Sequence, residues 1–475
     1  MKKRVLAVAL SIAITLPLLA ACGSSQDNSA ASSAPSAASS AEATPITSTA
    51  ATSQAVASSA STGAQKTGKG ITIRLLTRMS GEDADTEIIK EVKDAMMKKY
   101  PDLTIEDDSI NDSNAFDDQF KTDIASGTVA DIIQWPGTGI MHDYAQQGVF
   151  LDLTDLINKD DDIKNNVDNS LINMYSLSSV GVDGIYALPI VNQYEMFYYR
   201  KDLFKKAGIT DAPKSWEEFN DDCKKLEAIN VIPWTVGSTN AWRLVHIETG
   251  LIYKSCGVQK ALDLASGKAK WTDDDIVKTI DYIKTLGDSG VFGSDYTGID
   301  YDTEKQRFLD GETAMTFDGS WRINTLKDIE DNVGVFTMPY FEGNDQYANN
   351  DISYPSQLEL SGALKNDPEK LSYVWEMASM FDSKEIQEDM LYKTSQAPVR
   401  TDIDVDQSKV DPLLSEMLKR AQTGSITWGT DAWAYDTNAS LENYVGDALV
   451  GAVTGMTAKD AAAQIQDQLD KDKAK

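Results

Sequence analysis

Beyond residue 70 the apolar and polar positions fall into alternating patterns with the periods of strands and helices. Ile71-Thr72-Ile73-Arg74-Leu75-Leu76 predicts a short strand. Ile88, Ile89, Val92, Ala95 and Met96 then recur at helical spacing, and Pro101 ends the run. Leu103-Thr104-Ile105 predicts a second strand, a helix follows around Phe116 to Ile124, and Asp131 to Trp135 predicts a third strand. Alternating strands and helices with short links imply an α/β domain with a largely parallel sheet. In such sheets ligands bind in loops leaving the carboxyl ends of strands, here Thr77 to Glu82 and Trp135 to Gly139. Further along, Met196-Phe197-Tyr198-Tyr199 predicts a strand, and Ser215 with Glu218 forms a capping-box signature at a helix start. Ile276, Ile280, Ile283 and Leu286 mark a helix over 274–286, and the last helix is expected to start at Thr457 and to carry Ala461, Ile465 and Leu469. No internal repeat is present.

The residues before position 70 follow neither period. Lys2, Lys3 and Arg4 precede an apolar run from Val5 to Leu19, which has the build of a secretory signal peptide. Leu19-Ala20-Ala21-Cys22 resembles the bacterial lipobox, which implies removal of residues 1–21 and a lipid anchor on Cys22. An ordinary small-residue cleavage site is the alternative. From Cys22 to Lys69, Ser, Ala and Thr supply 32 of 48 residues and no aromatic occurs. Such a segment cannot bury enough surface to offset its chain entropy, so 22–69 is expected to be a disordered tether. As a flexible coil it would span on the order of 40 Å. No other stretch is long and apolar enough to span a bilayer.

A chain of 475 residues allows two or three domains. Lys and Arg sum to 44 and Asp and Glu to 74, a formal net charge of −30, which becomes −33 once the leader's three cations are removed. The tether is neutral overall, so this charge belongs to the body. It repels phosphate backbones and anionic lipid, which excludes nucleic acid as a partner and a basic patch as a membrane anchor. Three cysteines cannot support a disulfide scaffold, and His142 and His246 leave little scope for a His-based metal site. Cys223 and Cys256 are expected to be free buried thiols, although an exported protein could pair them.

Several segments together resemble one family. The run Ala187–Phe219, "ALPIVNQYEMFYYRKDLFKKAGITDAPKSWEEF", is similar to the strand–helix passage of family 1 extracellular solute-binding proteins, the carbohydrate receptors of ABC importers related to maltose-binding protein. "ADIIQWPGTG" (Ala130–Gly139), "FLDGETAMTFDGSW" (Phe308–Trp321), "GVFTMPYFEG" (Gly334–Gly343) and "GMTAKDAAAQI" (Gly455–Ile465) agree in order. The resemblance implies a two-lobed α/β fold of the type II periplasmic-binding class, with a ligand cleft between lobes and three inter-lobe crossings. By analogy the crossings fall near Ile190–Gln193, Tyr354–Gly362 and Ser395–Arg400. The lobes would then comprise 70–191 with 356–397, and 192–355 with 398–475. It further implies an extracytoplasmic, lipid-anchored monomer that takes an oligosaccharide and presents it to permease subunits, without a cofactor or catalysis.

A sugar offers apolar C–H faces and many hydroxyls, so its site needs aromatic plates beside planar polar groups. Trp216 and Trp375 sit at helical core positions, and Trp234 and Trp271 lean structural. Trp321, in Asp318-Gly319-Ser320-Trp321, matches the family's stacking tryptophan, and Trp135 aligns with a cleft tryptophan of the maltose-binding relative. Trp242 and Arg243 follow the loop "VGSTNAW"; Trp428 and Trp433 flank "GTDAWAYD", which contains Asp431. Gln193 aligns with a ligand-binding carboxylate, and Arg78, Ser80 and Glu82 lie on the first strand–helix loop. Tyr354 stands where relatives place small glycines, a departure that makes transfer of any one relative's ligand unsafe.

Two other classes remain open at this level. An exported glycoside hydrolase would use two carboxylates, but 74 acids make their mere presence uninformative. No Gly-x-Ser-x-Gly, His-Glu-x-x-His or P-loop motif occurs. A receptor for a non-sugar solute is the other. The negative body disfavours polyanionic glycans unless Arg78 and Arg243 make a local exception, so a neutral oligosaccharide is the expected ligand.

Overall fold

A computed structural model describes residues 67–81, 85–134, 141–178, 181–421, 426–438 and 440–474. The leader, Cys22 and nearly all of the tether lie outside the described residues. Its last residues, Thr67–Lys69, are fastened to the body: Asp102 N donates to Thr67 O at 3.1 Å and Gly68 N donates to the Tyr373 hydroxyl at 3.3 Å.

The strands are β1 (Thr72–Leu76), β2 (Thr104–Asp107), β3 (Ile132–Ile133), β4 (Leu188–Arg200), β5 (Ile232–Trp234), β6 (Thr313–Gly319), β7 (Val333–Phe336), β8 (Asn350–Leu360) and β9 (Thr427–Gly429). They follow the order β2-β1-β3-β8-β4-β6-β5, with β7 beside β4 and β9 beside β8. β1 pairs in parallel with β2 and β3, joined by helices Thr86–Lys99 and Ser113–Ser126. The first helix buries Ile88, Ile89, Val92 and Met96, as its periodicity predicts, while Ala95 is exposed. Pro101 cannot continue it.

The long antiparallel strands β4 and β8 join the two lobes. Leu188 to Tyr194 of β4 pairs with β8, whereas Glu195 to Arg200 pairs with β6 and β7. β8 in turn meets β9 at Asn350–Ile352 and β3 at Glu359–Leu360. The segment around Ala397 comes alongside: Asn192 N donates to Ala397 O at 2.9 Å. Buried Gln387 ties it down, donating to Ile190 O at 2.7 Å and accepting from Val399 N at 2.8 Å. Hinge motions are absorbed by a few such element-terminal residues.

The apolar core is correspondingly divided. Two clusters draw on residues 71–191 and 358–399, with Ile73, Val92, Ile190 and Leu358 among them. Two others draw on 194–354 and 391–469, with Phe197, Trp216, Trp234 and Leu449. Each large side chain removed from water contributes about 1.5–3 kcal/mol. Helix Trp216–Glu227 illustrates the assembly: Trp216, Phe219, Cys223 and Leu226 face inward, and the Ser215 hydroxyl caps Glu218 N at 3.3 Å. The capping box closes one residue early, because the Glu218 carboxylate accepts from Lys214 N at 2.8 Å. Helix Ala458–Lys473 starts after its Thr457 cap and buries Ala461, Ile465 and Leu469. Cys223 and Cys256 are both free thiols, the former buried and the latter half-buried. Among the described residues no helix is long and apolar enough to cross a membrane.

Candidate functional site

Four elements of the second lobe bring aromatic side chains to one place. Helix Trp242–Cys256 presents Trp242 and His246, four residues apart and therefore on one face. Helix Tyr301–Asp310 opens with Tyr301 after its Asp300 cap. β6 ends at Gly319 and leads into Trp321, and β8 supplies Tyr354 opposite Gln193 of β4. Trp242 meets His246 and Tyr301 edge-on, each with ring centroids 5.0 Å apart. Trp321 lies 6.5 Å from Trp242, 6.4 Å from His246 and 6.5 Å from Tyr354. Trp242, Trp321 and Tyr354 all stay partly exposed, so together they form a cup with His246 at its floor.

Close approach makes the cup possible. A Cβ on Gly319 would stand 1.8 Å from the Trp321 ring, so only glycine lets that indole lie on the backbone of β6. The Trp321 Nε1–H then donates to the Tyr301 hydroxyl at 3.0 Å, and that hydroxyl donates to Asp318 Oδ2 at 2.9 Å.

Beneath the cup sits a buried, charge-matched ion network. Arg243 donates to Glu304 at 2.8 and 3.1 Å, to the Phe317 carbonyl and to Asp318 at 3.5 Å. Arg322 donates to the other Asp318 oxygen at 3.2 Å. The Arg243 guanidinium also lies 4.7 Å from the Trp242 ring centroid and 5.0 Å from that of Tyr301. Burial alone would weaken its hold on a proton, but Asp318 and Glu304 more than offset this and keep it charged.

A second buried group of charges lines the floor itself. Glu195, two residues after Gln193 on the same strand face, accepts from the Tyr354 hydroxyl at 3.2 Å. Its Oε1 lies 2.5 Å from His246 Nδ1, while His246 Nε2 lies 3.9 Å from Asp431 Oδ2, too far for a hydrogen bond. Glu195 Oε2 and Asp431 Oδ1 have no partner. Burial would lower the His246 pKa, but the Asp431 and Glu195 carboxylates raise it to about 9. Burial pushes Asp431 up to about 7, with His246 opposing. Glu195, His246 and Asp431 each bring one donor atom within 4.8 Å of the others, a spacing that could hold a cation. A cavity behind Glu195, lined also by Lys254 and Asn350, has room for about one water molecule.

The first lobe contributes Arg78. Its Nε donates to Asn111 O at 2.7 Å, and its guanidinium stands 6.0 Å from the Phe116 ring centroid. Arg78 N donates to the Gln134 side chain at 2.8 Å, which in turn donates to Ser356 on β8 at 2.9 Å. Loop and crossing strand are therefore tied together. Glu442, at the start of helix Leu441–Val453, feels both Arg78 and Asp117 of the first lobe and His246 and Asp431 of the second. Desolvation pushes its carboxyl up to about 7 although part of its surface stays open.

The structure thus gathers Trp321, Trp242, Tyr354, Gln193 and Asp431, with Arg78 on the first-lobe side. Trp135 and Glu82 lie outside the described residues. At three further expected positions the structure shows packing or ion-pair roles. Trp433 is 5% exposed within the second lobe's core. Trp428 packs on Tyr194 at 5.2 Å, on the strand face opposite Gln193 and Glu195. Arg243 is 1% exposed and its donors are committed to Glu304, Asp318 and Phe317. Sequence reasoning missed Glu195, His246, Tyr301 and Glu442. Strand alternation from Gln193 and helical spacing from Trp242 point to the first two; Tyr301 and Glu442 depend on tertiary contacts.

A family model described as a bacterial extracellular solute-binding protein matches residues 91–416, about two-thirds of the chain. The chain belongs to the bacterial extracellular solute-binding proteins. A relative, the multiple sugar-binding protein of Streptococcus mutans, is 23% identical over 270 residues, covering 54% of this chain and 60% of its own length. The chain therefore spans somewhat over half the length of that curated relative. Among solved structures, a chitin oligosaccharide binding protein superposes with a TM-score of 0.75 at 24% identity, over 85% of this chain and 99% of that one. A maltose-bound protein from T. maritima gives 0.70 at 19% identity, over 84% and 99%. These likenesses carry the two-lobed solute-binding fold, and membership of the family places the body outside the cytoplasm.

Proposed function

We propose that this solute-binding protein captures an oligosaccharide in its interlobe cleft, without chemistry, and presents it to the membrane subunits of an ABC importer. The observation that carries the reading is the cup of Trp242, Trp321 and Tyr354 over hydrogen-bonding carboxylates. Aromatic plates take the C–H faces of a sugar, and acceptors beside them take its hydroxyls. Gln193 and Asp431 serve as polar contacts on the second-lobe side and Arg78 on the first. Trp135 and Glu82 are further ligand contacts in this reading. The sugar-binding name of the Streptococcus mutans relative and the oligosaccharide ligands named for the structural neighbours agree with it.

In the same proposal residues 1–21 form a signal peptide, Cys22 carries a lipid, and residues 22–69 tether a monomeric body to the outer face of the membrane. The lobes comprise 70–191 with 356–397, and 192–355 with 398–475. Closure pivots at the β4–β8 ribbon and the segment around Ala397.

A thermal-shift screen of the full chain against neutral and amino-sugar glycans tests the function. The expected result is stabilisation by a sugar that is recovered unchanged. Steady appearance of shorter products would instead identify a hydrolase.

A further inference from the structure

The two charge clusters around the cup differ in balance. Arg243 and Arg322 are matched by Glu304 and Asp318. At the floor, Glu195 and Asp431 share the single cation His246, while on the walls Glu442 and Asp117 stand near Arg78 and Asp117 also near Lys121. The buried Asp431 and Glu195 side chains, 5% and 1% exposed, each keep one oxygen without a partner. A buried carboxylate lacking a counter-charge either takes up a proton or waits for a cation. The partly exposed rings of Trp242, Trp321 and Tyr354 stand beside these carboxylates, and aromatic rings attract an ammonium group.

We propose that the cup is a subsite for a protonated primary amine on a pyranose ring, so that the preferred ligand is an oligosaccharide with at least one unacylated amino sugar. The inference rests on the sugar-binding reading and narrows its ligand from neutral to locally cationic. The ammonium group hydrogen-bonds the unpartnered Oδ1 of Asp431 and is attracted by Glu442 across the cup. The charged His246 lies 3.9 Å from Oδ2 of Asp431, while Oδ1 keeps its capacity to accept a charge-assisted N–H···O bond. An N-acetyl group in this place would bring no charge and would add bulk between the rings.

Three trisaccharides of one backbone and linkage test the idea by calorimetry on the full chain: β-1,4-linked glucosamine, N-acetylglucosamine and glucose. Spermidine serves as an ammonium without a sugar. The glucosamine trimer should bind at least tenfold more tightly than either neutral trimer and than spermidine. Its affinity should rise between pH 5.5 and 7 as Asp431 and Glu442 lose their protons, while neutral trimers show a flat profile. Asp431→Asn should bring the amine-to-acetyl ratio towards one; Glu442→Gln, on the partly open wall, serves where the first variant fails to fold. Equal or tighter binding of a neutral trimer overturns the amine subsite and leaves the sugar reading standing, as does binding of other glycans but of none of these. Spermidine binding as tightly as the amino sugar overturns the pyranose requirement. If no sugar binds at all, both readings fall together.

Discussion

The two charged clusters of the second lobe lie within one aromatic layer of each other and have opposite characters. Arg243, Arg322, Glu304 and Asp318 form a charge-matched set, each side chain at most 1% exposed, with backbone groups of Gly237 and Phe317 joining in and only Arg322 Nε left unpartnered within the set. Glu195, His246 and Asp431 are almost as buried but leave oxygens unpaired and a 3.9 Å gap. Buried polar groups that serve only the fold are normally satisfied. The charge-matched network supports Trp242, Tyr301 and Trp321, and the unmatched one is the place where the proposed ligand would complete the bonding. Unmatched carboxylates beside partly exposed aromatic rings, more than acidity as such, mark the candidate binding floor.

That contrast can be broken in several ways. The largest effect is expected from Arg243→Ala, which takes from buried Glu304 its counter-charge and leaves Asp318 with Arg322 alone. A loss of about 3–5 kcal/mol in denaturant melts is predicted, and a melt within about 0.5 kcal/mol of the parent would show that the network is no scaffold. Next comes the pH dependence at His246. Its folded pKa of about 9 stands above the ordinary imidazole value, so its stabilising contribution is fully present below pH 6.5 and is lost as pH rises through 9. The size is on the order of 3 kcal/mol, and His246→Gln should flatten that part of the stability profile; an unchanged slope would refute the assignment. Gly319→Ala should displace the Trp321 ring and weaken sugar binding about tenfold or more, read by titration beside a circular-dichroism check of the fold. The smallest effect serves as a reference far from both clusters. Ser215→Ala should cost about 1 kcal/mol through its lost helix cap and leave binding untouched.

The helices were legible where periodicity and caps agree, as at Ile88–Met96 and Thr457. β4 runs for 13 residues because its buried character extends on both sides of the short run Met196–Tyr199, and a strand buried on both faces loses the alternation that would mark its length. Trp321 and Tyr354 could be singled out from sequence; their meeting with His246 could not, since it joins a helix, β6 and β8 across the fold. Trp428 and Trp433 illustrate the opposite problem. A polar aromatic loop resembles a ligand loop, yet in the folded chain it buries one ring in the core and sets the other against Tyr194. Arg243 likewise stands next to the site in sequence but works from beneath it.

The most direct measurement is a titration of the full chain and of Trp321→Ala with the best-binding oligosaccharide, with the sugar recovered and its length determined by mass spectrometry. The predicted result is saturable one-site binding, sugar returned intact, and an affinity at least tenfold weaker in the variant at an unchanged melting temperature. Equal affinity in a variant that melts like the parent, or a shortened sugar, would contradict the account.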